Sequence, residues 1–248
     1  MTMNKTMASA INPFTHIYAI GFLRPYLATR DLQKEFEAAA KELQLPKDDF
    51  YGVFSHSSTQ NPLDVLTFRP YLYIAEKVSW VFSINNVDTY ILLPKYKNEL
   101  DALIDALKQS PPYQKVAIIG ALGASLVEGE ANDLNLPTVV CNNIVSLPKE
   151  EIIPFTLKAN DGLSAEHRAV NFVVVNFNAL ALNQLDFKGV LTDINYKPYS
   201  KEGERILIEI ILTYENHELE VFYSCGIDVT DEYPFIDFPL RNFLPQTA

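Results

Sequence analysis

The sequence predicts an α+β fold, in which a mixed α/β portion is followed by an antiparallel β-meander packed on helices. Apolar residues between Thr29 and Leu45 recur at helical spacing, with a capping threonine in front and Pro46 directly behind. Two short runs in the middle of the chain are nearly all apolar, which is typical of strands buried on both faces. Alternation of period two then dominates the last part of the chain.

The mixed portion contains further elements that turn residues and prolines mark out. A helical pattern runs over residues 61–78, although Pro70 must break or kink it. Asn85 and Asn86 tolerate a positive φ and therefore predict a tight hairpin. The strands of that hairpin, the next helix and the two apolar strands are expected at residues 79–84, 87–93, 97–108, 115–119 and 138–141.

The last part of the chain begins with a predicted helix over residues 164–184. Ser164 is a good N-cap, and Glu166 lies in the first turn, where a negative charge complements the helix dipole. A run of three valines at 173–175 favours a strand instead. Residues 187–196 and two alternating runs then predict a three-stranded meander, with turns at 200–203 and 215–218. We expect domains at residues 1–185 and 186–248, with one continuous domain as the alternative.

Composition excludes several classes of protein. The 248 residues carry a formal net charge of −11, whereas a surface that follows phosphates needs an excess of Lys and Arg. No stretch approaches the ~20 apolar residues that span a bilayer. Residues 1–13 lack an apolar run followed by a small-residue cleavage site. We therefore expect a cytoplasmic protein that binds neither nucleic acid nor a membrane.

Cysteine and histidine usage argues against a metal centre. Cys141 and Cys225 are the two cysteines, too few for a disulfide framework and without the paired spacing of a structural zinc site. None of the four histidines lies four residues from another or in an HExxH pattern. We expect two buried thiols, no metal and no cofactor. A metal site that joins one of these cysteines to a distant histidine is the alternative.

The segment Glu166-His167-Arg168 is the first candidate for binding a peptide or a partner. Histidine titrates near neutrality, and the guanidinium of arginine forks onto carboxylates. The segment also lies at the start of a predicted helix, where capping and ion pairing are the commoner roles.

The predicted hairpin supplies three further candidates: Trp80, Asp88 and Tyr90. The two aromatic residues lie on neighbouring strands and would line a peptide groove, although core packing is the commoner role of such rings. The Gly120-Ala-Leu-Gly123 segment is better explained by a tight turn than by nucleotide binding, because it lacks the third glycine and the Lys-Ser/Thr pair.

Several segments occur in one order along the chain: Tyr18-Ala19-Ile20-Gly21, Ser79-Trp80-Val81, Asp88-Thr89-Tyr90-Ile91-Leu92, Glu166-His167-Arg168-Ala169, and Asp228-Val229-Thr230 with Tyr233-Pro234-Phe235. This series resembles the non-protease C-terminal region of the cyanobactin maturation proteases of the PatG type, a domain of unknown function. The resemblance covers nearly the whole chain and implies a role in making ribosomally synthesised, modified cyclic peptides. The His-Gly-Thr and Gly-Thr-Ser segments of the protease itself are absent, so the chain is not the macrocyclase.

We therefore expect a non-catalytic binding or assembly module associated with maturation of such peptides. It would dock a precursor peptide or a maturation enzyme, by strand addition at the edge of its antiparallel sheet. Two alternatives remain open. One is an enzyme whose site is assembled from distant residues, with His167, Glu166 and Asp88 as first candidates. The other is a structural domain that forms a homodimer.

Overall fold

The structure is a computed structural model, and it describes residues 15–59, 67–108, 115–123, 134–147, 160–181, 189–199, 205–216 and 219–244. In chain order the elements are β1 (His16–Tyr26), α1 (Arg30–Glu42), α2 (Phe50–Ser55), β2 (Ser58–Thr59), β3 (Thr67–Phe68), α3 (Leu72–Lys77), β4 (Ser79–Ile84), β5 (Val87–Pro94), α4 (Lys97–Asp105), β6 (Val116–Leu122), β7 (Thr138–Ser146), α5 (Ala165–Ala181), β8 (Val190–Pro198), β9 (Leu207–Asn216), β10 (Leu219–Asp228) and β11 (Phe235–Asn242).

Five strands close into a barrel in the order β1-β4-β5-β7-β6, with β6 returning to pair with β1. Neighbouring strands are antiparallel except β5 and β7, which run parallel. The first strand serves two partners, because His16–Gly21 pairs with β6 and Phe22–Tyr26 pairs with β4. This strand order, with a helix between the third and fourth barrel strands, is that of an OB-type barrel.

Strand alternation separates the barrel core from its outward face. Ile17, Ala19 and Leu23 of β1 are at most 1% exposed and belong to the same core cluster as the inward residues of β4 and β5. Gly120 lies within β6, so the predicted turn there is wrong. A Cβ at this position would stand 2.2 Å from the carbonyl oxygen of Val140, so the close approach of the strands at this irregular point explains the glycine.

Helices α1 to α4 pack on the barrel core, and the predicted α1 is confirmed. Thr29 caps it by accepting a hydrogen bond from the backbone N–H of Leu32 at 3.1 Å. The buried ring of Phe36 stacks on Phe50 of α2 at a centroid distance of 4.5 Å. The predicted helix at 97–108 is α4, which ends at Asp105.

The hairpin prediction is confirmed, and the second helical pattern is wrong in part. Asn85 and Asn86 have φ angles of 51° and 64° and join β4 to β5. Residues 60–66 lie outside the described residues, Thr67–Phe68 forms a short strand, and the helix begins only at Leu72. Pro70 explains the late start, because its ring restricts the residue before it to extended backbone.

The predicted long helix is confirmed as α5, with residues 182–184 outside the described part of the chain. Ser164 accepts a hydrogen bond from the backbone N–H of His167 at 3.1 Å, as its predicted capping role requires. Val173 and Val174 are 0% and 6% exposed. Burial of such side chains against the barrel and the last sheet outweighs their preference for strands.

The last sheet is antiparallel with the order β11-β10-β9-β8, so it has four strands where the sequence predicts three. The strand missed is β11, which contains Pro239 and alternates poorly between buried and exposed residues. One face of the sheet packs on α5 through a second apolar cluster. Parts of the predicted first strand and of the two predicted turns lie outside the described residues, namely 187–188, 200–203 and 217–218. The other two residues of the second predicted turn, Glu215 and Asn216, belong to β9. The α+β class is confirmed.

Candidate functional site

The two aromatic candidates lie in the barrel core. Trp80 and Tyr90 are each 2% exposed, on the inward sides of β4 and β5. The indole N–H of Trp80 donates to the backbone carbonyl of Ala75 at 3.1 Å. The hydroxyl of Tyr90 donates to the carbonyl of Asp161 at 3.0 Å, and burial raises its pKa. Both rings therefore lie in the core, in agreement with core packing and not with a peptide groove.

His167 contacts an acid that precedes its own helix. Its Nδ1 lies 2.9 Å from Oδ1 of Asp161, which also accepts a hydrogen bond from the backbone N–H of Leu163 at 3.0 Å. Burial acts to raise the pKa of Asp161, but these two contacts outweigh it and the pKa is lowered. Glu166 is half-buried in the first turn of α5. This pair at the helix start fits an ion-pairing role.

Arg168 is buried beneath the loop that follows β10. Its side chain is inside the protein, with the residue 5% exposed, and its terminal nitrogens donate to the backbone carbonyls of Val229 and Glu232 at 2.8 and 3.0 Å. A further hydrogen bond goes to the carbonyl of Asp231. Burial lowers the pKa of this guanidinium, and the carboxylates of Glu232 and Asp231 oppose that shift. Arg168 thus fastens the loop to α5.

A buried pair of amides, which the sequence analysis missed, joins the start of α5 to the barrel. Asn160 donates to Asn171 at 2.7 Å, and Asn171 donates to the carbonyl of Tyr18 at 2.7 Å. Gly162 has a φ of 76° and its carbonyl accepts from the N–H of Tyr18 at 3.0 Å. A Cβ on Gly162 would stand 2.5 Å from the carbonyl oxygen of Tyr18. A side chain at position 162 would therefore collide with β1.

Asp88 is the one hairpin candidate on the outward side of the barrel. It accepts hydrogen bonds from Arg24 at 2.5 Å and from the hydroxyl of Ser83 at 2.6 Å. The hydrogen bond from Arg24 is the main reason that the pKa of Asp88 is lowered. The side chains of Arg24 and Asp88 are 40% and 37% exposed, so a ligand can reach both.

Strand register places this ion pair within a patch that we call the β1–β4–β5 face. Its residues form three rows across the strands. At the centre of the face, Val81 and Ile91 are 0% and 1% exposed, so their side chains are covered within the protein. Rings stand at either end, with Arg24 5.8 Å from the ring of Tyr26. The three rows are Phe22, Ser83, Asp88; Arg24, Val81, Ile91; and Tyr26, Ser79, Leu93.

The six candidates do not form one site. Among the described residues, no hydrogen bond or ion pair joins Asp88 to Glu166 or His167. Arg24 and Tyr26, which accompany Asp88, were missed because β1 itself was not predicted. In the sequence, β1 is apolar on both sides as far as Leu23, so no local alternation marks these two residues.

The described residues contain no group of three or more His, Cys, Asp or Glu side chains that could hold a metal ion. Cys141 and Cys225 are free thiols in different apolar clusters, and burial raises the pKa of both, in the second case to about 12. In the part of the chain that the structure describes, no helix has the length and apolar character needed to cross a membrane.

The barrel, its helices and α5 match a known family. A model of the family described as "PatG Domain" matches residues 16–188. The chain belongs to the PatG Domain family. The recognition of a PatG-type domain of unknown function from the ordered sequence segments is therefore confirmed.

A solved structure gives the same result at the level of the fold. The structure titled "PatG Domain of Unknown Function" superposes with a TM-score of 0.61 at 16% sequence identity, covering 92% of this chain and 98% of that chain. At this identity the likeness shows a shared fold and carries no function. No curated protein matches the chain.

Proposed function

We propose that this PatG domain is a non-catalytic binding or assembly module associated with maturation of ribosomally synthesised, modified peptides of the cyanobactin type. The β1–β4–β5 face would hold an extended segment of a precursor peptide or of a maturation enzyme. The observation that carries the proposal is the half-exposed Arg24–Asp88 pair between two half-buried aromatic rings.

The groups on this face match what an extended peptide presents. The guanidinium of Arg24 keeps donors free after its bond to Asp88, because it carries five N–H groups. The carboxylate of Asp88 can accept backbone N–H groups, while the half-buried rings of Phe22 and Tyr26 offer flat apolar surfaces for side chains. A peptide alternates carbonyls, N–H groups and side chains along its length, so it can use all three.

Charge supports a peptide over a nucleic acid. OB-type barrels bind oligonucleotides and oligosaccharides on the face of their second and third strands, which are β4 and β5 here. A chain of net charge −11 repels phosphates, and Arg24 is the single cation in the three rows of this face. The Lys115 ammonium lies beside the face, 5.9 Å from the ring of Phe22. The family resemblance described above adds the link to peptide maturation.

A calorimetric titration with a leader-plus-core precursor peptide, and separately with a PatG-type protease domain, tests the proposal. Mass spectrometry of the peptide after incubation completes it. Saturable binding with an unaltered peptide mass is the expected result. A changed mass would favour the alternative of an enzyme built around His167, and absence of binding to either probe would overturn the proposal.

Variants locate the site. Arg24→Gln removes the charge from the face and should weaken binding about tenfold, the effect of losing one charge-assisted hydrogen bond. Lys34→Gln makes the same change of charge on α1, where Lys34 is 65% exposed, and should leave the affinity unchanged. Equal affinities for the two variants, with both folded by circular dichroism, would place the site elsewhere.

A further inference from the structure

The two edges of the C-terminal sheet differ in how well they could accept another strand. At one edge, β11 contains Pro239 and its register against β10 shifts twice, which are features that discourage pairing. At the other edge, β8 is paired only with β9 among the described residues. This strand has one register shift, between Leu191 and Asp193, and its proline, Pro198, is its last residue. Residues 193–197 keep a regular register, and all of them but Ile194 are exposed.

We propose that a second copy of this chain occupies the β8 edge, in antiparallel register about a two-fold axis that passes through Asn195. The sheets of the two copies would then join into one sheet of eight strands. The inference concerns a different surface from the β1–β4–β5 face and does not depend on the proposed function.

The charges along β8 are complementary to themselves in this register. Asp193 and Lys197 lie two residues on either side of Asn195, and all three point to the same side of the sheet, because their partners on β9 alternate in step. Antiparallel pairing about Asn195 therefore sets Asp193 opposite the partner's Lys197, and Lys197 opposite the partner's Asp193. Two cross-strand ion pairs form, one on each side of the axis.

The other side of the sheet is also matched. Ile194 and Tyr196 flank Asn195 and point to the side of the sheet that faces α5, where Ile194 belongs to the apolar cluster. The same register sets Ile194 opposite the partner's Tyr196, twice. Aromatic and β-branched side chains form favourable cross-strand pairs, and 44% exposure of Tyr196 leaves its ring free to make one.

Neighbouring registers lack these pairs. A symmetric antiparallel pair must have one residue on its axis if opposite residues are to share a side of the sheet. An axis through Ile194 sets Asp193 against the partner's Asn195, and an axis through Tyr196 sets it against the partner's Tyr199. Among the described residues of β8, only the axis through Asn195 places opposite charges together.

Lys197 is available for this contact. Its ammonium lies 2.9 Å from the buried carboxylate of Glu209, yet its side chain is 50% exposed. An ammonium group has three donors, so it can serve both Glu209 and a carboxylate from the second copy. Asp193 is exposed and holds a hydrogen bond from Asn195 at 2.5 Å, which keeps it beside the axis. A charged edge repels unmatched strands and thereby favours the complementary one.

Cysteine cross-linking of the full chain tests both the dimer and its register. Only a residue on a two-fold axis meets its own copy, so Asn195→Cys should give a disulfide-linked dimer under mild oxidation, whereas Asp193→Cys should not. Cys141 and Cys225 are buried and do not compete. Cross-linking of neither variant, of both equally, or of Asp193→Cys alone would overturn the proposal.

Sedimentation of the unmodified chain over a range of concentrations supplies an independent test. A reversible dimer that weakens with added salt is the expected result. Asp193→Lys opposes like charges at both ion pairs and should raise the dissociation constant about tenfold, while Asp31→Lys, the same change at an 88% exposed position on α1, should not. A monomer at all concentrations would refute the inference. It would be refuted equally if the chain stays monomeric and the β8 amides become protected from hydrogen exchange when a precursor peptide is added, because the peptide would then occupy the edge.

Discussion

Replacement of Asn171 with leucine would remove the amide that joins α5 to the barrel. Three hydrogen bonds disappear, at 2.7, 2.7 and 3.1 Å. The carbonyl of Tyr18 and the side-chain NH2 of Asn160 lose their partner, while Oδ1 of Asn160 keeps the N–H of Gly162 at 3.1 Å, and both asparagines are at most 9% exposed. Each buried polar group left unsatisfied costs about 1–3 kcal/mol, and the added apolar surface of leucine returns about 1–2 kcal/mol. We expect a net loss of about 2–3 kcal/mol in the free energy of unfolding.

Urea unfolding, followed by the fluorescence of the single tryptophan, Trp80, measures this loss. A loss of that size should move the midpoint by about 1 M urea at an m-value of 2–3 kcal/mol/M. Asn143→Leu makes the same substitution at an exposed position in β7 and should move the midpoint little. Equal midpoints for the two variants would refute the idea that the buried amides hold α5 in place.

Three further predictions follow from the candidate residues. Arg168→Met should lower the free energy of unfolding by about 2 kcal/mol, because the carbonyl of the buried Val229 loses its hydrogen-bond donor. It should also speed hydrogen exchange of the backbone amides of residues 230–233, whereas the control Arg30→Met should not. Unchanged exchange in Arg168→Met would contradict the fastening role. His167→Ala should leave peptide affinity unchanged and cost ~1 kcal/mol or less, because its partner Asp161 is 46% exposed; loss of binding in a folded variant would show a direct role. Because the pKa of Asp88 is lowered, its ionised carboxylate stabilises the fold at pH values above the ordinary aspartate pKa of about 3.9, and this stabilisation is lost as the pH falls through the lower pKa of the folded state. Asp88→Asn should therefore be less stable than the parent at pH 7 and equally stable in strong acid. A difference in urea midpoint that stays constant between those conditions would contradict the ion pair.

Local patterns predicted the elements whose signals lie within a few residues. Thr29 and Ser164 both cap the helices they precede, and the Asn85-Asn86 pair forms the turn expected of it. The first strand was missed because Tyr18, Ile20 and Phe22, which point outward, are as apolar as the inward residues beside them. Alternation is invisible where another layer covers the outer side, and here α5 packs on that side.

The site was harder to predict because its contacts join residues far apart in the chain. Arg24 meets Asp88 across 64 positions, and Arg168 reaches carbonyls more than 60 positions later. Residue type alone indicates that Arg168 can donate several hydrogen bonds and that Asp88 can accept them. Only the folded chain shows which partners they have. Their binding role, and the division of the chain at residue 185, remain predictions.

Helix α5 is buried on two sides, since Phe172 and Val175 contact the barrel cluster while Ala169, Val170 and Val173 fill the cluster beneath the last sheet. Each residue of a helix is turned by about 100° from the one before it. One residue inserted after Ala165 would therefore rotate every later side chain away from both neighbours at once. The spacing of the residues from Ala169 to Val175 is therefore fixed by two neighbouring layers and not by one.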